Sequence, residues 1–128
     1  MSSAVIPTLR YQDAPAAIEF LTVAFGFTSR MVVEGEGGTI DHAQLIYDSG
    51  MVMIGSRRDD EYGRLIEGSA VGSIYVVVDD VAAHAERARA AGAEILMEPS
   101  EQAYGGGNYV AGDPEDNIWS FGSYDPWA

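Results

Sequence analysis

The chain has 128 residues, 47% hydrophobic and 10% aromatic, which is enough for one compact domain with a buried core. Its formal charge of −13 disfavours nucleic-acid and membrane partners, because phosphate backbones and anionic lipids are repelled, and it favours a neutral or cationic ligand. Cysteine is absent, which excludes disulfides and thiolate chemistry, and we expect a cytoplasmic protein because no segment is typical of a signal peptide or a membrane span.

The first half of the chain predicts a strand, a helix and three further strands. Asp13 is placed to cap the helix, whose apolar positions recur at helical spacing until Gly26. The segment 57–68 is charged and punctuated by glycine, which predicts a connecting loop, either solvated or folded over the mouth of a pocket. The strands are predicted over 4–11, 27–34, 40–47 and 51–55.

The second half repeats this order of elements. A helix capped by Asp79 or Asp80 is predicted to run through Ala91 and to end at Gly92. Asp80 and Gly92 thus correspond to the cap and the terminating glycine of the first helix, which indicates an internal duplication. Strands are predicted over 72–78, 94–98, 108–111 and 118–123, with a loop over 99–107.

This pattern predicts an α+β fold of two tandem βαβββ modules, about 4–58 and 71–125, joined by a loop over 59–70 within a single domain 1–128. Each unit has too few strands to bury both faces of its sheet, so its helix covers one face and leaves the other open. We expect the strands to form a curved mixed sheet around a cleft that binds a small organic molecule.

Strand alternation predicts which side chains face that cleft. On this basis Val52 and Ile46 belong to the lining, together with Ile6, Val77 and Ile118. The loop over 101–107 is either a flap over the cleft or a plain connection. The predicted ligand-binding residues are Thr8, Arg10, His42, Gln44, Ile54, Ser73, Tyr75, Tyr104 and Ser120.

Two of these residues have alternative roles. His42 either bonds to a backbone carbonyl or to Asp41, or it contacts the ligand and acts as a general base, since an imidazole titrates near neutrality. Arg10 either anchors an anionic or carbonyl group of the ligand or pairs with an Asp or Glu at the surface.

The remaining aromatic and imidazole side chains divide between the core and the site. Trp119 and Phe121 alternate with Ser120 and are predicted to pack under a helix. Tyr109, like Tyr75 and Tyr104, is a candidate to stack on a flat ligand. His84 is predicted to lie on the solvent face of the second helix.

Five segments of the chain are typical of one family: 9–13, 24–27, 77–81, 90–93 and 113–115. Together they resemble the vicinal oxygen chelate superfamily, which includes glyoxalase I, bleomycin-resistance proteins and extradiol dioxygenases. The resemblance implies a homodimer. It also implies that metal-dependent members take ligands from the first and fourth strands of each module.

Carried over to this chain, the metal-ligand positions are Ile6, Ile54, Ser73 and Ser120. Isoleucine cannot coordinate a divalent cation, and neutral serine is a poor ligand beside imidazole or carboxylate. We therefore expect no metal and no other cofactor.

The expected function is metal-independent binding of a small organic molecule, as in the bleomycin-resistance proteins, with antibiotic or toxin sequestration as its purpose. One alternative is a glyoxalase-like lyase or a dioxygenase that uses a divalent metal. Another is a scaffold that acts through protein contacts.

Overall fold

The computed structural model describes residues 3–67, 72–101 and 106–127. The chain divides into two compact units, Met1–Val71 and Gly72–Ala128. Each unit contains a four-stranded mixed sheet and a ten-residue helix, so the predicted α+β fold with two βαβββ modules is confirmed. Within the described ranges, no helix is long and apolar enough to cross a membrane.

The first unit forms a sheet in the order β1-β4-β3-β2, in which only the β1–β4 pair is parallel. A short 3-10 turn, Glu36–Gly38, links β2 to β3. The elements are β1 (Thr8–Tyr11), α1 (Ala14–Val23), β2 (Thr28–Glu34), β3 (Ile40–Tyr47), β4 (Gly50–Ser56) and α2 (Glu61–Glu67).

Local chemistry explains where α1 begins and ends. The Asp13 carboxylate accepts the N–H of Ala16 at 3.1 Å, which satisfies one of the unpaired donors at the start of the helix. Gly26, just past the end, has a φ of +87°, a conformation that favours glycine. The helix buries Ala17 and Leu21 against the sheet, where Phe25 is also fully buried.

The second unit repeats this design, with the order β5-β8-β7-β6 and a parallel β5–β8 pair. Asp80 caps its helix by accepting the N–H of Ala83 at 3.0 Å, and Gly92 follows the helix with a φ of +94°. The elements are β5 (Ser73–Val77), α3 (Val81–Ala90), β6 (Glu94–Glu101), β7 (Gly107–Gly112) and β8 (Ile118–Gly122).

The segment predicted as a loop over 57–68 contains α2, so that prediction was wrong. Asp60 starts the helix, because its carboxylate accepts the N–H of Gly63 at 2.7 Å. A Cβ at position 63 would collide with the Arg58 carbonyl oxygen, so glycine is required by the close approach of the chain. Seven charged residues around a glycine give too little apolar periodicity to predict a helix.

Two strand boundaries also differ from the prediction. The first strand begins at Thr8 rather than at position 4. Strand β6 continues to Glu101 through Pro99, which was predicted to start a loop. Because β6 is at the edge of its sheet and its pairing is irregular between Met97 and Ser100, the missing proline N–H leaves no ladder partner unpaired.

The buried carboxylate of Asp113 organises the turn that precedes β8. Although Asp113 is only 5% exposed, its oxygens accept the backbone N–H groups of Glu115 and Asn117, both at 3.0 Å. They also accept the Asn117 amide and the indole N–H of Trp119, both at 3.1 Å. This network holds the fully buried Trp119 in register as the chain enters β8.

We predict that Asp113→Ala lowers the free energy of unfolding by about 3 kcal/mol, because several buried donors lose their acceptor at once. Urea unfolding of the purified variant measures this loss. Asp116→Asn is the matched control in the same turn, since Asn tolerates the φ of +67° found there. Equal stabilities of the two variants would show that the network contributes little.

Candidate functional site

The open face of the first unit is defined by the register of its sheet. Thr8 pairs with Met53 across the parallel β1–β4 ladder, and Gln44 pairs with Met53 from the other side. Met31 pairs with Gln44 in turn. Because residues at one level of a sheet point to the same side, these four side chains form one row across the face opposite α1.

The predicted placement of Ile54 and Val52 on this face was wrong. Ile54 is 1% exposed and pairs with Ala43, and Val52 pairs with Leu45, so both belong to the core beneath α1. The stretch from Met51 to Ile54 is apolar throughout, so its sequence does not show which alternate residues face the helix. Met53 takes the position that had been given to Ile54.

The same arrangement recurs on the open face of the second unit. Tyr75 pairs with Ser120 across the parallel β5–β8 ladder, at the same offset along the chain from Thr8 and Met53. The Tyr75 hydroxyl donates to the Tyr124 carbonyl at 2.7 Å. Glycine at position 122 leaves room for that hydroxyl, which a Cβ there would contact.

Because Met53 in the first unit corresponds to Ser120 in the second, Met53 replaces Ile54 among the four positions considered for a metal ion. The set becomes Ile6, Met53, Ser73 and Ser120, in which a thioether replaces an isoleucine. A thioether suits soft ions such as Cu(I), and none of the four offers an imidazole or a carboxylate. Across the ranges that the structure describes, no three His, Asp or Glu side chains come together in a way that could hold a metal ion.

His42 and Gln44 lie next to each other on the open face and form a network with Arg30. Arg30 donates to the Gln44 side-chain oxygen at 2.5 Å, which orients the amide so that its nitrogen donates to Nε2 of His42 at 3.0 Å. The Nε2 atom of His42 is thereby in contact with the Gln44 side chain. The contact is with Gln44 rather than with a backbone carbonyl or Asp41, and the role of His42 as a general base stays a prediction.

Two further predictions need correction, since His84 and Tyr109 pack together inside the second unit. Tyr109 is fully buried, and its hydroxyl lies 2.6 Å from Nδ1 of His84. The His84 ring also lies against Phe121, with the ring centroids 4.5 Å apart. His84 therefore faces the sheet rather than solvent, and Tyr109 cannot stack on a ligand at the open face. Tyr104 lies outside the described residues.

Trp119 and Phe121 are fully buried, as predicted. Ser73 is exposed and Ser120 is half-buried, on the same open face as Tyr75.

Arg10 lies at the far end of β1 and turns toward α2. Its guanidinium donates to Asp60 at 2.7 Å and lies 4.6 Å from the centre of the Tyr62 ring. The side chain is only 10% exposed, although Asp60 is 42% exposed. The surface-pairing alternative for Arg10 is thus half right, because an Asp does bind it but the arginine itself is buried.

A pocket of about 580 Å³ opens beside this ion pair. A segment 57–68 folded over the mouth of a pocket was one of the predicted alternatives, but the helix that forms one wall of this pocket was not predicted. The signal that could have revealed it is the Arg57-Arg58 pair next to Asp59 and Asp60, directly after β4, whose parallel partner β1 carries Arg10. The pocket is lined by Arg10, Arg57, Arg58, Asp59, Gly63, Arg64, Ile66 and Glu67.

The hydrogen bond from Arg10 is the main reason why the pKa of Asp60 lies well below the usual range for an aspartate. The backbone N–H of Gly63 lowers the pKa further, and the charges of Arg10 and Arg58 add to the effect, against a smaller opposing contribution from desolvation. Asp60 therefore stays ionised and keeps Arg10 in place at the base of α2.

Comparison with known proteins agrees with the fold of two βαβββ modules. The sequence profile of the Glyoxalase/Bleomycin resistance protein/Dioxygenase superfamily matches residues 5–121, so the chain belongs to that superfamily. An uncharacterized protein of Mycobacterium bovis is 30% identical to it, over 93% of this chain and 82% of the relative.

Solved structures share the fold. TioX from Micromonospora sp. ML1 is 29% identical and superposes with a TM-score of 0.77 over 94% of each chain. Glyoxalase I from Zea mays superposes with a TM-score of 0.75 over 93% of this chain and 43% of its own, but at 19% identity it shows the fold alone. The predicted family resemblance is thus confirmed.

We predict that Asp60→Asn destabilises the protein more at pH 7 than at pH 3. The pKa of an aspartate in the unfolded chain is about 4. When folding lowers the pKa of such a carboxylate, the carboxylate stabilises the folded protein above that value, and this stabilisation is lost as the pH falls toward the lower pKa of the folded state. Urea unfolding at both pH values measures the difference between wild type and variant.

Asp59→Asn is the control for this experiment, because Asp59 is 92% exposed and its pair with Arg64 is a surface contact. We expect that substitution to change stability little at either pH. A loss in Asp60→Asn that is the same at pH 3 and pH 7 would contradict the assignment.

Proposed function

We propose that this superfamily member is a metal-independent binding protein for a small organic molecule, which it holds on the open strand faces. The observation that carries the proposal is the identity of the four positions at which metal-dependent relatives are expected to place ligands. They are filled here by Ile6, Met53, Ser73 and Ser120, which leaves contact and hydrogen bonding as their available chemistry.

The exposed apolar side chains on these faces support binding of a largely apolar molecule. Met31 is 42% exposed on the first unit, and Tyr75 and Ile118 are 38% and 36% exposed on the second. Tyr75 and Ile118 lie on neighbouring strands of one sheet, and apolar side chains grouped in this way mark an interaction site more often than scattered ones do. Methionine adds adaptability, since its flexible thioether fits ligands of irregular shape.

Polar groups among these apolar residues would orient the ligand. Thr8, Ser73 and Ser120 offer hydroxyls, and Gln44 is already oriented by Arg30. The overall charge of −13 favours a neutral or cationic molecule on these faces, because anionic molecules are repelled.

Sequestration of an antibiotic or toxin is the purpose that fits non-covalent binding of this kind.

We predict that Met53→Glu weakens binding of aromatic antibiotics by roughly tenfold or more, because a charge would be desolvated beneath an apolar ligand. A panel of neutral and cationic aromatic antibiotics, titrated by isothermal calorimetry, provides the probes. Val23→Glu is the matched control, since Val23 is an exposed apolar residue on α1, away from the open face.

The control variant should bind within about twofold of the wild type, as is usual for a surface change outside the site. Binding of no compound in the panel, or equal weakening by both substitutions, would contradict the proposal for the open face.

Elemental analysis of protein purified without chelator separates this function from a metal-dependent lyase or dioxygenase. We expect Ni, Zn, Fe and Mn to be far below one ion per chain, because the candidate positions lack imidazole and carboxylate donors. A stoichiometric metal that disappears in His42→Ala would overturn the proposal in favour of the enzyme.

We also propose that the protein is a homodimer, since pairing would cover part of the exposed apolar strand surface. Light scattering at micromolar concentration tests this part by itself, and a monomer would remove it without affecting ligand binding to a single chain.

A further inference from the structure

The pocket beside α2 concentrates positive charge in a strongly acidic protein. Four arginines line it, Arg10, Arg57, Arg58 and Arg64, although the whole chain has only seven Lys and Arg residues and a formal charge of −13. Bringing four guanidinium groups to one cavity is electrostatically unfavourable unless anions compensate them. The carboxylates of the chain compensate these arginines unequally.

Two of the four are well paired. Arg10 is bound by Asp60 at 2.7 Å and is covered on one side by Tyr62. Arg64 is bound by Asp59 at 2.9 Å. Both short contacts fall in the range of charge-assisted hydrogen bonds. Arg10 therefore serves mainly to hold the wall of the pocket, while Asp59 compensates the charge of Arg64 at the surface.

The other two are bound less closely. Arg58 reaches Asp60 and Asp41 at 3.6 and 3.8 Å and donates to the Ile40 carbonyl at 3.5 Å, all beyond the length of a strong charge-assisted bond. Arg57 donates from Nε to the Arg10 carbonyl at 3.5 Å, and among the residues that the structure describes no carboxylate lies within 4.0 Å of it. Both side chains are exposed and keep donors for an incoming group.

The backbone nevertheless places these two residues firmly. The N–H of Arg57 donates to the Tyr11 carbonyl at 2.9 Å, which extends the β1–β4 pairing by one residue. Arg58 follows directly, and its carbonyl is packed against Gly63 at the start of α2. The side chains of Arg57 and Arg58 therefore extend from fixed backbone positions on one wall of the cavity.

We propose that this pocket binds the oxyanion group of a small organic anion, a carboxylate or a phosphate, with Arg57 and Arg58 as its principal contacts. The planar guanidinium presents paired N–H donors that match the paired oxygens of either group. A cavity of about 580 Å³ is in the range of small-molecule sites and has room for an organic body attached to the anion.

Long-range repulsion from the acidic surface does not prevent this binding. At about 0.1 M salt the Debye length is roughly 10 Å, so distant carboxylates are screened while the arginines in contact with the ligand are not. Among the lining residues the carboxylates are Asp59, which is bound to Arg64, and Glu67. Its principal contacts, Arg57 and Arg58, are not among the residues that carry the function proposed for the open strand faces, so the inference does not depend on that function.

The test is titration of the full chain with inorganic phosphate and, separately, with succinate, followed by two-dimensional NMR of the arginine Nε–Hε groups. We expect saturable shifts of the Arg57 and Arg58 signals with at least one probe. Saturation by phosphate alone would assign the site to phosphate-bearing compounds, and saturation by succinate alone to carboxylates.

The double variant Arg57→Gln with Arg58→Gln should weaken binding by roughly tenfold or more, because hydrogen bonds between charged groups are lost. Arg87→Gln on α3 removes one positive charge, so it is the matched control for each single variant, Arg57→Gln and Arg58→Gln, and it should stay within about twofold of wild type. Amide spectra establish that each variant is folded, and the two single variants replace the double one if it is not.

Two results would overturn the proposal. One is the absence of saturation by either probe at about 0.1 M salt. The other is equal weakening by Arg87→Gln and by the single pocket variants Arg57→Gln and Arg58→Gln, which would show that the anions respond only to net charge.

Discussion

The parallel pairing of the first strand with the fourth strand in each unit is the constraint on which the arrangement of side chains depends. It places Thr8 beside Met53 in one unit and Tyr75 beside Ser120 in the other. Because one helix covers only one face of each sheet, every residue in these strands is committed either to the core or to the open face. The chemistry available on the open face then follows from which alternate residues are polar.

Much of this fold could be predicted from local signals that agree with one another. The aspartates at positions 13 and 80 accept helix N–H groups, and the glycines at 26 and 92 have the positive φ that ends a helix. The phase of β4 could not be predicted, because a run of apolar residues such as the one ending at Ile54 carries no alternation. Only its hydrogen-bonded register with β3 decides that Met53 faces outward.

The candidate site was harder to predict because its polar residues satisfy one another. A histidine in a polar position suggests a base or a metal ligand, yet His42 accepts a bond from an amide that Arg30 orients. Likewise His84 lies among the small and charged residues of α3, where the sequence suggests solvent, but the fully buried Tyr109 supplies a hydroxyl partner. The Arg30–Gln44 and His84–Tyr109 pairs join positions 14 and 25 residues apart in sequence, so no local pattern reveals them.

Net charge and local charge lead to different conclusions in this protein. The excess of Asp and Glu describes the field at a distance, which salt screens. At the base of α2 the relevant scale is a few ångströms, and there Asp60 holds Arg10 in place at 2.7 Å while Arg57 has no comparably close carboxylate among the described residues. A short helix that begins at an ionised aspartate thus keeps one arginine as part of the wall and leaves its neighbours to face the cavity. An acidic chain can in this way present a basic pocket, because what decides the character of a site is which charges are already paired within it.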